Sequence, residues 1–234
     1  MKTATNESGK LDELYSSLND KAYAEILSGK YFIDDSIDAS NDQRFGLTIL
    51  IRPNDNVKNE IENVLNKIRK VEPEEYYYPK SDLHVTVLSI ISCYSGFDIS
   101  KISIHQYSEI MGKSVKDIEN FEIEFKGIIL ANSGILIKGY PTNSSLNLLR
   151  EKLRTNFKQV NLEQSIDSRY SISTAHITAL RFRKKLENKK RFLNLVAQFK
   201  DYNFGTSKVE NFELVHNDWY QKTENVTILH QFKI

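Results

Sequence analysis

Leu83-His84-Val85-Thr86-Val87 returns 92 residues later as Ala175-His176-Ile177-Thr178-Ala179. On an extended strand, residues i and i+2 share a face. Each stretch therefore sends one imidazole and one hydroxyl to one side, and Val85 or Ile177 to the other. A lone His-x-Thr says little; this pair gains meaning from its setting. Phe45 to Ile51 reads as a strand, Pro53 and Asn54 break it, and Val57, Ile61, Val64, Leu65 and Ile68 fall on one helical face before the strand Leu83 to Ile91. The same order follows later: strand Gly134 to Tyr140, turn Pro141-Thr142-Asn143, a helix with Leu146, Leu149, Leu153 and Phe157, and strand Ala175 to Phe182. Phe45 to Ile135 is 90 residues, and both Val57 to Leu146 and Ile68 to Phe157 are 89. Two units are too few for a repeat array. They predict two copies of one strand-helix-strand unit, each forming half of a domain, with both His-Thr pairs converging on a cleft between the halves.

Phe121 to Leu130, Lys208 to Val215 and Asn225 to Phe232 also read as strands, the last two as a hairpin around His216 to Thr223. Ile99 to Lys116 and Lys189 to Asp201 hold helical turns, and Glu72 to Ser81 reads as a loop. This order predicts an α+β fold: a bilobal, pseudo-twofold domain with largely antiparallel sheets flanking a central cleft. A doubly wound parallel sheet fits less well, because there is no Gly-rich phosphate loop. Residues 11–42 carry eight acids against two lysines, with Leu11, Leu14, Tyr15, Leu18, Ala22 and Ile26 at helical spacing, and Gly29 supplies the stop. Residues 1–43 are expected to form an acidic helical extension, and residues 44–234 the two-lobed domain. The extension's role, whether covering a lobe or mediating self-association, is open at this level, as is the oligomeric state.

Of the 234 residues, 40% are hydrophobic and 25 are aromatic, so the chain can bury a sizeable core and is not disordered over most of its length. The 32 basic and 31 acidic residues leave a net charge of +1, which excludes a global attraction for nucleic acid or anionic membrane. Polyanion binding must be local. One cysteine, Cys93, excludes an intrachain disulfide and the Cys-rich zinc arrangements. Met1 to Lys10 is polar, and no apolar run nears the ~20 residues of a membrane span. A cytoplasmic protein without membrane contact is expected.

Imidazole has an ordinary pKa of about 6.5, so one copy can act as base and the other as acid near neutrality. His84 and His176 flanking one phosphate suit in-line attack on a phosphodiester, with Thr86 and Thr178 donating to the non-bridging oxygens. No cofactor or metal is called for, since neither motif brings further ligands at metal-binding spacing. A packing role would have to explain the same polar pair twice on otherwise apolar strands. Downstream lies a basic run, Arg181, Arg183, Lys184, Lys185, Lys189, Lys190 and Arg191, opposed only by Glu187. Arg181 and Arg183 alternate along the strand exit and are the candidates for binding phosphate. Tyr78, Trp219 and Tyr220 are candidates for stacking on a base, although plain packing is the commoner fate of such residues. His105, His216 and His230 lack the motif and read as surface or structural.

From about Arg44 to Ile234 the chain resembles the 2H phosphoesterase superfamily, named for two His-x-Thr/Ser motifs on equivalent strands of a bilobal fold. The resemblance rests on Asp82-Leu-His-Val-Thr-Val87 and Ala175-His-Ile-Thr-Ala-Leu180 in their order. It implies His84 and His176 as the catalytic pair and Thr86 and Thr178 as phosphate donors. It also implies a metal-independent hydrolase acting on a 2'-linked or 2',3'-cyclic phosphodiester of RNA or a nucleotide. An RNA 2'-5' ligase, or a module that binds an RNA end or cyclic nucleotide without turnover, is the alternative. The acidic extension is not part of the usual core.

Overall fold

Val57, Ile61, Val64, Leu65 and Ile68 are all buried and make the apolar face of helix α2 (Asp55–Arg69). Asn54 caps its start, its side chain accepting a hydrogen bond from the Val57 amide. Strand β1 (Arg44–Ile51) precedes this helix, and β3 (Val85–Ser95) follows it. The second unit is β5 (Gly134–Pro141), α4 (Ser145–Lys158) and β6 (Ile177–Arg181), so the repeat is present as the spacing predicts. The computed structural model describes residues 2–234, with side chains from Ser8 onward. It adds α1 (Lys2–Ser28), β2 (Tyr76–Tyr77), α3 (Ile104–Val115), β4 (Glu122–Ala131), α5 (Lys189–Ala197), β7 (Asn203–Lys208), β8 (Asn211–Asp218) and β9 (Thr227–Lys233). None of these helices is long and apolar enough to cross a membrane.

Every recorded strand pairing is antiparallel, in the order β7-β4-β5-β6-β3-β1-β8-β9, with β2 docked on β6. The order reads symmetrically outward from its middle. β6 and β5 mirror β3 and β1; the outer places are filled by β4 and β7 in one half and by β8 and β9 in the other. The halves meet at one register pair, Val85 opposite Ile177, and both side chains are fully buried. Beyond that pair β6 takes β2 as its partner, Leu180 opposite Tyr77 and Arg181 opposite Tyr76.

The helices do not stay with their own strands. α2 packs chiefly against β7, β6 and α5, in the half opposite its flanking strands, whereas α4 packs against α3 and β3. The expectation that each copy forms one half therefore needs correcting: each unit lends its strands to one half and its helix to the other. Apolar burial then spans the junction and locks the halves together.

Two expected boundaries also change. Lys208 to Val215 is not one strand, since β7 ends at Lys208 and β8 begins at Asn211, each pairing with a different neighbour. Within the expected loop Glu72 to Ser81, β2 pairs through Tyr76 with Arg181 and through Tyr77 with Leu180. A two-residue strand is too short to give a periodic signal.

α1 lies against β4, β5 and α5. Its buried Tyr15 donates from the hydroxyl to the Gly139 carbonyl at 3.1 Å, and Asn19 Oδ1 accepts from the Leu130 amide at 3.1 Å. The helix ends at Gly29, whose φ of +76° suits glycine. The linker beyond it is fastened too: the Asp34 amide donates to Phe182 O at 2.7 Å, and the Tyr31 hydroxyl accepts from the Leu186 amide at 2.7 Å.

Candidate active site

The antiparallel register at Val85 and Ile177 fixes what faces the cleft. It sets His84 opposite Thr178 and Thr86 opposite His176. Directly opposed side chains on neighbouring strands stand about 5 Å apart and diagonal ones about 7–8 Å, so the two imidazoles occupy opposite corners of a small quadrilateral. All four residues are half-buried and line one cleft. Both histidines stand one residue ahead of their strands, where the backbone is free to use side-chain partners. The cleft volume, about 160 Å³, is close to the ~150 Å³ that holds a single benzene ring. That is room for one phosphate or one ring.

Each imidazole is held through Nδ1. His84 Nδ1 lies 2.7 Å from the Asp82 carbonyl, which only accepts, so Nδ1 carries the proton and Nε2 the lone pair. Asp82 is itself buried, its carboxylate accepting from the hydroxyls of Ser81 and Thr223. His176 Nδ1 lies 2.6 Å from Thr174 Oγ1, a hydroxyl that can donate or accept, so either tautomer is satisfied. Desolvation pushes both imidazoles down from 6.5 to about 4, helped by the cations Arg52 and Arg181 near His84 and Arg150 and Arg181 near His176; each ring, once charged, would also oppose charging of the other. At neutral pH the ligand-free cleft holds two uncharged rings.

Arg181 borders the cleft, where its Nε donates to the Tyr78 hydroxyl at 2.9 Å and Nη1 lies 3.7 Å from Asp34. Arg183 does not. Its guanidinium is committed to the Asp38 carboxylate and the Glu74 carbonyl, and it is not among the lining residues, so its expected role as a phosphate ligand is corrected. Lys184 pairs with Glu74 and Lys189 donates to Leu27 O, so acids and carbonyls disperse the basic run. Tyr78 and Tyr220 line the cleft but are 4% and 3% exposed, and Tyr220 donates to Asp34 Oδ1 at 2.8 Å. Trp219 is half-buried, with the guanidinium carbons of Arg169 and Arg44 at 4.6 and 4.9 Å from its ring. Outside the cleft, His105 is exposed beside Glu109, His216 stacks on Phe45, and His230 lies against Phe232.

Sequence reasoning missed Asp34, Thr174, Asn217, Gln221 and the segment Ser165 to Ile172, all of which touch the cleft or its lining. That segment roofs it, anchored by the Ser165 amide on Ile90 O at 2.8 Å and by Arg169 Nη2 on Cys93 O at 3.0 Å. Thr174 and Asp82 each stand two residues before a motif histidine, a spacing visible in the sequence; the others carry no local signal.

The family model described as the AKAP7 2'5' RNA ligase-like domain matches residues 47–231. The chain belongs to that family. It is thereby a member of the 2H phosphoesterase superfamily, and solved structures share its fold. TT0787 of Thermus thermophilus is 17% identical with a TM-score of 0.57, over 80% of this chain and 97% of that one. E. coli LigT complexed with 3'-AMP is 15% identical with a TM-score of 0.57, over 82% and 98%. ATU0111 from Agrobacterium tumefaciens is 11% identical with a TM-score of 0.54, over 88% and 97%. At these identities the likeness is one of fold. No curated protein matches the sequence. In this 2H phosphoesterase the family match begins after the linker, yet Asp34 of that linker reaches the cleft residue Arg181.

Proposed function

We propose that the chain is a metal-independent phosphodiesterase that hydrolyses a 2'-linked or 2',3'-cyclic phosphodiester of RNA or a nucleotide. The observation that carries this reading is the Val85–Ile177 register, which sets two imidazoles diagonally across a space of phosphate size. One imidazole takes a proton from water as its oxygen bonds to phosphorus; the other gives a proton to the ribose oxygen as its bond to phosphorus breaks. The Thr86 and Thr178 hydroxyls donate to the non-bridging oxygens, where charge accumulates. Arg181 adds positive charge at the same side, and Trp219 offers an aromatic wall near the mouth. A protein of the same fold, E. coli LigT, was crystallised with 3'-AMP, a nucleotide of the kind such a reaction releases.

Each histidine is expected to contribute about 10²- to 10⁴-fold. The test is hydrolysis of 2',3'-cyclic nucleotides and 2'-5' linked oligonucleotides with a chelator present. His84→Ala and His176→Ala should each abolish turnover, and Thr86→Ala should weaken it less. Turnover that survives both histidine changes would sink the reading. The same acid and base run the reaction backward, so a 2'-5' ligase is tested with defined RNA ends. Saturable binding without product, unchanged by His→Gln, would instead mark a binding module.

A further inference from the structure

The two histidines are alike in motif and unlike in what stands behind them. Asp82 meets His84 Nδ1 with a backbone carbonyl at 2.7 Å, and Thr174 meets His176 Nδ1 with a side-chain hydroxyl at 2.6 Å. Among the described residues neither Nε2 has a protein partner, and neither is counted with the buried unpartnered atoms, so both are open to the cleft that the rings line. A carbonyl takes a proton from Nδ1 whether the ring is neutral or charged, so neutral His84 keeps its lone pair on Nε2. A hydroxyl brings a proton of its own, and that proton decides the tautomer of His176. Thr174 is buried and does not line the cleft, and its Oγ1 has no second protein partner among the described residues. Were neutral His176 to donate from Nδ1, the hydroxyl proton would be buried without an acceptor, which is unfavourable. With the hydroxyl donating to Nδ1 nothing is orphaned, and His176 carries its proton on Nε2. When the ring charges, the hydroxyl turns to accept from Nδ1–H and Nε2–H stays in place.

We propose that Thr174 is a positioning residue: its hydroxyl keeps the Nε2–H of His176 toward the cleft in both charge states, which makes His176 the acid and leaves His84 the base. This rests on the phosphodiesterase reading and assigns the two roles which that reading leaves open. His84 Nε2 takes the proton of the attacking water as its oxygen bonds to phosphorus. Charged His176 gives its Nε2 proton to the ribose oxygen as that oxygen's bond to phosphorus breaks, and the ring is left neutral.

Thr174→Val removes the hydroxyl at nearly constant shape, and Thr174→Ser keeps it. Long-range proton–nitrogen NMR spectra of ligand-free protein with isotope-labelled histidine, at neutral pH, tell the tautomers apart; His84→Gln and His176→Gln assign the signals. Native protein should show His84 protonated on Nδ1 and His176 on Nε2. In the Val variant the Nε2–H form of His176 should no longer dominate, with His84 unchanged as the control for folding, and the Ser variant should keep it. Turnover is read on a 2'-5' dinucleotide and on a nucleotide p-nitrophenyl ester, whose nitrophenolate leaves without a proton. Thr174→Val should slow the dinucleotide by about tenfold or more and the ester by less than about twofold, with Thr174→Ser near native on both. A native His176 protonated on Nδ1 overturns the proposal, whether or not the Val variant folds. So does a Val variant that keeps the Nε2–H form, or one that loses equally on the two substrates. The two readings fail separately: turnover with the wrong tautomer removes only the role of Thr174, whereas the expected tautomers without turnover of either substrate remove the phosphodiesterase reading and the acid role with it.

Discussion

Arg150 donates to the carbonyl of Thr174 at 2.7 Å, two residues ahead of His176, and the same nitrogen reaches Thr86 O at 3.1 Å. Its Nε donates to Val87 O at 2.9 Å. If the β3–β6 ladder continued past Val85 and Ile177, Val87 would face Ala175. The guanidinium supplies donors for those carbonyls instead, so the sheet opens without orphaning its backbone. Arg150 is 1% exposed, and burial pulls its pKa down to about 10. Arg150→Met should cost about 2–4 kcal/mol, the loss of three carbonyl bonds offset partly by removal of a buried charge. It should lower kcat more than tenfold as the two histidine motifs lose register, and Arg150→Lys should recover part of both. Urea unfolding and turnover check this; a Met variant with native kcat would show that the junction does not need the clamp.

Asp34 ties the extension to the cleft. Its carboxylate accepts from the Tyr220 hydroxyl at 2.8 Å and lies 3.7 Å from Arg181, and it is buried. Asp34→Ala leaves a buried hydroxyl short of an acceptor and the half-buried Arg181 guanidinium short of its counter-charge, which should cost about 1–3 kcal/mol. KM should rise more than kcat falls, because Arg181 loses its orientation while the histidines keep theirs. Thermal unfolding and steady-state kinetics together decide it.

The elements legible in the sequence are those whose signal is local. Helix α2 shows itself by the spacing of Val57, Ile61, Val64, Leu65 and Ile68, and the two histidine motifs by their repetition. The exchange of helices between halves was not legible, because an apolar face states that it is buried and not against what. Tyr220 reads as an aromatic available to a base, yet a carboxylate 186 residues away fixes its hydroxyl. Arg183 alternates with Arg181 as expected, but alternation places it only on a face of the strand. Asp38 and Glu74 then turn it from the cleft.

That division between the two arginines is testable. Arg181→Ala removes a positive charge bordering the cleft and should raise KM for a phosphodiester by about tenfold or more, equivalent to one charge-assisted hydrogen bond. Arg183→Ala removes a surface pair with Asp38 and should change stability by less than about 1 kcal/mol, with kcat/KM within about twofold of native. Equal losses in the two variants would return Arg183 to the site.

Ligand binding should take up a proton. In the free protein both imidazoles are held near 4 by desolvation. A phosphate anion between them restores the charged form of one ring, because an opposite charge at close range raises an imidazole pKa. Between pH 4 and the raised value the complex binds one proton more than the free protein, so affinity for inorganic phosphate or a nucleoside 2'-monophosphate should rise as pH falls, by up to about tenfold per pH unit. The ligand-free protein should move the other way. Its imidazole pKa values lie below the unfolded value of 6.5, so the stability they contribute is full above pH 6.5 and is lost as pH falls from there through about 4. Calorimetry at pH 6 in two buffers of different ionisation enthalpy measures the uptake, and His176→Gln or His84→Gln should change it. Affinity that is flat between pH 5 and 8 would mean that neither ring is charged by the ligand, and the acid half of the catalytic pair would then need another source.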